Sequence, residues 1–220
     1  MVGWRTSSAS YRSGTSARTP RSPGWASRPT SPSSSWPGST ALRGPYGDFV
    51  MEPPSGRDLV FLATGTGVAP FRSMIEYCLE TGRDRFAGDV RNVWLFLGCS
   101  WADDLPYRDR FETLASNHDH VHFVPTVTRE RYLSEWNGET DYVQHVLVKY
   151  IEEHALDGIE LPNAFEAYRE RPPKTDIDAR IDPGNVEVYA CGINAMVHSL
   201  VRAVKNLGVP DKHTAFEGFG

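Results

Sequence analysis

The chain has 220 residues, 40% hydrophobic and 23% charged, with a formal net charge of −5, which is enough for one well-packed domain or one domain plus part of a second. No window approaches the roughly 18 consecutive apolar residues of a membrane span, and no apolar leader opens the sequence, so a cytoplasmic protein without a membrane span is expected. From Gly44 onward 17 basic residues stand against 28 acidic ones, a balance that repels phosphate backbones and argues against a nucleic-acid partner. Cys78, Cys99 and Cys191 form no C-x-x-C pair, so a reduced protein without a structural disulfide or zinc is the expectation.

Residues 1–43 hold six Arg, twelve Ser and five Pro, with no Asp, Glu or Lys. They carry neither helical nor strand periodicity and cannot bury enough apolar surface to offset chain entropy. Trp4, Trp25 and Trp36 are unusual in a solvating tail. A disordered extension and a misread frame of GC-rich coding DNA both account for the composition. A short stretch, 44–56, then leads into a changed pattern.

Asp58–Ala63 (DLVFLA) is a short apolar run closed by a Gly-rich turn, as a buried parallel strand would be. Phe71, Met74, Ile75, Cys78 and Leu79 follow at helical spacing, with Pro70 in the first turn, where its missing N–H costs little. Asn92–Gly98 is a second buried strand, 107–114 a helix and Val121–Val127 a third strand. Val143, Val146, Leu147, Tyr150 and Ile151 mark the next amphipathic helix. Positions 156–185, rich in Pro, Asp and Arg, read as an irregular insertion. Val186–Cys191 is the fourth strand. Val197, Leu200, Val201, Val204 and Leu207 face one side of a last helix ended by Gly208, and a final strand lies near Thr214–Phe216. The alternation predicts an α/β fold, a doubly wound parallel sheet of about five strands over 57–220.

In such a sheet, ligands bind at the carboxyl ends of the strands where the strand order reverses. Thr64-Gly65-Thr66-Gly67-Val68-Ala69-Pro70 sits there. Its glycines let the backbone approach a pyrophosphate, and the helix N-terminus offers N–H groups and a positive dipole. A loop of this kind also serves as an ordinary strand–helix turn. His118, His120 and His122 alternate without a carboxylate or Cys cluster to complete a metal set, so solvent-facing imidazoles and no metal are expected. Asp103 and Asp104 read as a solvated helix start.

The loop keeps informative company. GPYGDF (Gly44–Phe49) precedes it. LFLGCSWADDLPYRDRF (Leu95–Phe111), TVTRE (Thr126–Glu130), DYVQ (Asp141–Gln144), YACGINAMV (Tyr189–Val197) and the ending FEGFG follow in order. From Gly44 to Gly220 this series resembles the nucleotide domain of the ferredoxin–NADP reductase family. The resemblance implies that Gly65, Thr66, Gly67 and Val68, with Ala69 and Pro70 behind them, cradle the pyrophosphate of NADP or NAD. Gly98, Thr128, Arg129 and Tyr142 belong to the same cofactor-binding set, Arg129 toward a 2′-phosphate and Tyr142 toward adenine. Cys191 and Gly192 match the Cys-Gly pair that packs beside the nicotinamide. Glu217 and Phe219 match the family's terminal acid-x-aromatic, with Phe219 shielding a flavin ring and Glu217 orienting the nicotinamide or relaying a proton. Gly44, Pro45, Tyr46 and Gly47 match the segment leading out of a flavin domain.

Without the resemblance, Cys191 reads as a buried strand-end cysteine and Phe219 as a packing residue. Two departures blur the coenzyme choice: Thr140 stands where NADPH-specific members often carry Lys, and Ser100 where some bacterial members carry Arg. The family further implies FAD, hydride transfer from NAD(P)H, and an iron–sulfur protein such as ferredoxin, or flavodoxin, as redox partner. A complete member needs a flavin-binding β-barrel of roughly a hundred residues ahead of this domain. The 43 residues before Gly44 carry no strand pattern, and Ala9-Ser10-Tyr11-Arg12 does not match the Arg-x-Tyr-Ser flavin signature. The flavin half is therefore expected to be absent, lost, or supplied by a separate flavin-binding chain. That leaves three readings: a flavin oxidoreductase, a catalytically incomplete NAD(P)-binding module, or an unrelated α/β protein that binds nucleotide phosphates.

Overall fold

A computed structural model describes residues 47–130, 134–159 and 163–219. The expectations for 1–43 and for Gly44, Pro45 and Tyr46 lie outside these residues. Six described strands form one parallel sheet: β1 (Asp58–Thr64), β4 (Val93–Cys99), β5 (Val121–Val127), β6 (Glu139–Thr140), β7 (Val186–Ile193) and β8 (Thr214–Phe219). Their order is β6-β5-β4-β1-β7-β8. The chain runs outward from β1 on one side and then crosses back to β7 on the other, which opens a crevice at the carboxyl end of β1.

The central strands are buried along nearly their whole length, as strands covered on both faces must be. Alternate residues divide between two apolar layers. Leu59, Phe61, Ala63, Leu95 and Leu97 meet Phe71, Ile75 and Cys78 of α1 (Ala69–Glu80) and Phe111 and Leu114 of α2 (Arg108–Asn117). Val60, Leu62, Trp94 and Phe96 meet Val143, Val146 and Leu147 of α3 (Val143–Val148) and Leu200 and Val204 of α5 (Asn194–Asn206). Gly208, at φ +86°, ends α5 with its N–H donating to the Lys205 carbonyl at 2.9 Å.

Several details differ from the sequence reading. The sixth strand, β6, is two residues long, and a two-residue antiparallel hairpin, β2 (Arg85–Phe86) with β3 (Asp89–Val90), lies outside the main sheet; neither is long enough to leave a period. The segment 156–185 is not simply irregular. It contains α4 (Asn163–Arg169) and a short 3-10 turn at Pro183–Asn185, and Ile181 is buried. This segment is pinned by polar contacts to distant residues, which apolar periodicity cannot register. Asp103 and Asp104 belong to a separate 3-10 turn, Ala102–Asp104, while α2 starts at Arg108 with Asp109 in its first turn.

His120 and His122 are not solvent-facing as expected. His122 is buried, 4.2 Å from the Trp94 ring and 3.2 Å from Asn92 Oδ1, and burial lowers its pKa. His120 contacts Asp84 at 2.9 Å and is largely covered. The segment from Gly47 packs against β7, where the Glu52 N–H donates to the Tyr189 hydroxyl at 3.0 Å and Ser55 bonds Glu187.

Candidate functional site

The carboxyl ends of β1, β4, β5 and β7 surround a cleft of about 390 Å³ lined by Gly65, Thr66, Gly98, Thr128, Arg129, Tyr142 and Phe219, with Thr64, Asp141 and Ile193 among its other walls. Glycine shapes its inner part. β1 ends at Thr64 and the chain turns through the 3-10 segment Gly65–Val68 into α1. Gly65 sits at φ +49°, and nothing lies within 4 Å of where its Cβ would be. A Cβ on Gly67 would run into the Cys191 carbonyl, one on Gly98 would come within 2.6 Å of the Val143 side chain, and one on Gly192 would strike the Thr64 hydroxyl. The turn therefore approaches the β7 backbone to a distance that only glycine permits, and Gly98 and Gly192 make room for the Val143 and Thr64 side chains.

Thr64 is 6% exposed and its Oγ1 has no hydrogen-bond partner among the described residues. A buried orphan hydroxyl at a cleft wall is a donor and acceptor available to a bound polar group.

One end of the cleft is polar. The Thr128 and Arg129 amides donate to the Cys99 and Ser100 carbonyls at 3.0 and 2.8 Å, and both side chains are exposed. Tyr142 caps α3 and is 53% exposed. Beside it, Asp141 Oδ1 accepts the Tyr142 N–H at 2.7 Å and contacts His145 Nδ1 at 2.9 Å, while Oδ2 accepts the Tyr168 hydroxyl. The His145 ring stacks on Tyr168 at 4.6 Å. The other end is apolar: Ile193 and Phe219, paired in register across β7 and β8, are 57% and 41% exposed. Cys191 pairs with Glu217 in the same ladder and is buried. Burial, helped by the Glu217 charge, pushes its thiol up to about 11, so it stays protonated at neutral pH.

The other predicted site residues lie around the cleft rather than in its wall. Val68 is buried in the core, and Ala69 and Pro70 form the first turn of α1. Gly67 and Gly192 act through close packing, and neither Glu217 nor Gly47 is a wall residue. Sequence reasoning missed Thr64, Cys99, Ser100, Asp104, Asp141, Val143, Ile193 and Met196 as wall residues. All eight flank or fall within the quoted motifs, and that adjacency was the available signal. Tyr168 and His145 left none.

The donors suit a dinucleotide: a glycine-cut turn at a helix start, an exposed Arg129 and Tyr142 at one end, and a buried orphan hydroxyl near the Cys191–Gly192 end. Among the described residues no group of His, Cys, Asp and Glu could hold a metal ion, and no helix is long and apolar enough to cross a membrane.

Comparison with known proteins agrees with this geometry. Residues 61–202 match the oxidoreductase NAD-binding domain family. The chain is 33% identical over 187 residues to ferredoxin–NADP reductase B of Sorangium cellulosum, spanning 83% of this chain and 63% of that protein. In fold it resembles the Amycolatopsis cytochrome P450 reductase GcoB, with a TM-score of 0.56 at 23% identity over 80% of this chain and 42% of that one. It likewise resembles a ferredoxin NADP+ reductase from Neisseria gonorrhoeae with bound FAD and NADP, with a TM-score of 0.51 at 22% identity over 76% of this chain and 57% of that one. The chain spans less than two thirds of the length of each of these relatives.

Proposed function

The chain belongs to the oxidoreductase NAD-binding domain family of the ferredoxin–NADP reductase type, and on that premise we propose that residues 57–220 form the NAD(P)H-binding half of a flavin oxidoreductase. The observation that carries this reading is the two-ended cleft, cationic and aromatic at Arg129 and Tyr142 and apolar at Ile193 and Phe219. When bound, NAD(P)H and FAD supply the redox chemistry, a hydride transfer followed by electron delivery to an iron–sulfur protein such as ferredoxin, or to flavodoxin.

The chain's own residues bind, orient and exclude water. Gly65, Thr66 and Gly67, with the start of α1, hold the pyrophosphate by backbone approach and helix dipole. Arg129 grips phosphate through its guanidinium fork, and the exposed Tyr142 ring offers a stacking face. Gly192 has no Cβ, which leaves room beside Thr64, whose hydroxyl is free to take a carboxamide hydrogen bond. The neutral Cys191 thiol packs this end without introducing a charge. Phe219 covers the apolar end and yields to the nicotinamide ring, and Glu217 stands beside it to orient the ring or hold a proton. The protein's contribution is thus positioning.

FAD is held by a barrel, in this protein or on a separate flavin-binding chain, that meets the apolar end of the cleft. The test is the visible spectrum of the purified protein with FAD, taken anaerobically before and after NADPH. Bound-flavin bands that bleach on adding NADPH would mean a working reductase. A protein that binds NADPH but never takes up FAD would instead be a catalytically incomplete nucleotide-binding module.

A further inference from the structure

We infer that Lys174, carried by the segment between α3 and β7, is a specificity-determining residue that selects a dinucleotide bearing a 2′-phosphate on its adenosine; this rests on the reading that the cleft binds NAD(P). β5 and β6 pair Val127 with Thr140, so Thr128 and Arg129 leave one strand beside the point where Thr140 and Asp141 leave the other. Lys174 Nζ donates to Thr140 Oγ1 at 3.1 Å, which sets an ammonium one residue from the cleft wall formed by Asp141 and Tyr142.

The placement of Lys174 is fixed from behind. Its backbone N–H donates to the buried Glu139 carboxylate at 2.8 Å, and the neighbouring Thr175 hydroxyl contacts Tyr150 at 2.8 Å. The nearby carboxylates are already engaged. Glu139 is held by Lys149 at 2.6 Å and by Tyr150, and Asp141 by Tyr142, His145 and Tyr168. Asp176 and Asp178 follow on the same strap and are exposed. Among the described residues, neither Lys174 nor Arg129 has a carboxylate at ion-pair distance. Two such cations with the Thr128 and Thr140 hydroxyls, flanking an exposed tyrosine, suit a doubly charged phosphate monoester attached to an adenosine.

The experiment is calorimetric titration of the full chain with adenosine 2′,5′-bisphosphate and with AMP, which differ only in the 2′-phosphate, using wild type, Lys174→Ala and Lys174→Arg. Lys174 is exposed and its backbone bond survives truncation, so the fold is retained. Wild type is expected to prefer the bisphosphate. Lys174→Ala should lose about tenfold in bisphosphate affinity with AMP unchanged, and Lys174→Arg should keep the preference. An unchanged ratio in Lys174→Ala, or equal losses for both ligands, overturns the role of Lys174 while leaving the cleft assignment standing. Failure of both ligands to bind wild type overturns the cleft assignment and this inference with it.

Discussion

The centre of the sheet and its β6 flank are held together by different physics. At the centre, β1, β4 and β7 are sealed by apolar side chains on both faces, and Gly67, Gly98 and Gly192 leave no room for a Cβ against the Cys191 backbone and the Val143 and Thr64 side chains. At the flank, two carboxylate clusters do the joining, one buried at Glu139 and one half-buried at Asp141. Glu139 gathers Lys149, Tyr150 and the Lys174 amide, and Asp141 gathers Tyr142, His145 and Tyr168. Packing at the centre is non-directional but close-fitting. Charges at the flank are directional and costly to leave unpaired. The proposed dinucleotide lies across both, its nicotinamide end on the packed centre and its adenosine end on the wired flank.

The largest effect that could break this contrast is expected at Glu139. Glu139→Gln leaves Lys149, 4% exposed, charged without its counter-ion, and should cost about 3 kcal/mol, read from urea denaturation. A loss below about 1 kcal/mol would mean that the flank is held by packing after all. Next comes Gly67→Ala at the centre, where the new Cβ meets the Cys191 backbone rather than a movable side chain. It should destabilise by about 2 kcal/mol and weaken dinucleotide binding; wild-type affinity and stability would show that the turn has slack.

The smallest effect concerns His122, in the apolar part of the sheet. Burial holds its folded-state pKa below the ordinary imidazole value of 6.5, so on acidification the unfolded chain takes up this proton first. Its contribution to stability is therefore intact at neutral pH and drains as the pH falls through and below 6.5. His122→Gln should flatten that part of the stability profile relative to wild type. A variant whose profile is as steep as the wild type's would assign the acid sensitivity to other groups.

The same division explains what was legible in the sequence. The central strands were readable because unbroken apolar runs such as Val93–Leu97 have few alternatives to a doubly covered strand, and the glycines fell at their ends. Gly65, Thr66, Gly98, Thr128, Arg129, Tyr142 and Phe219 came from motif order, and the fold brings all seven to one cleft. The flank was opaque. Tyr168 reaches Asp141 across 27 positions and the Lys174 amide reaches Glu139 across 35, and a polar pair at such separation leaves no period. His122 was misjudged because alternating polar residues suggest an open face, whereas an imidazole packs readily on an indole such as Trp94.

Amide hydrogen exchange of the full chain with and without saturating NADP+ tests the central claim most directly. The account predicts slower exchange in three separate stretches, 64–68, 128–129 and 141–143, with little change in α2 or at β2 and β3. Protection confined to other surfaces, or none at ligand concentrations that bind, would contradict the assignment of the carboxyl-end cleft to the dinucleotide.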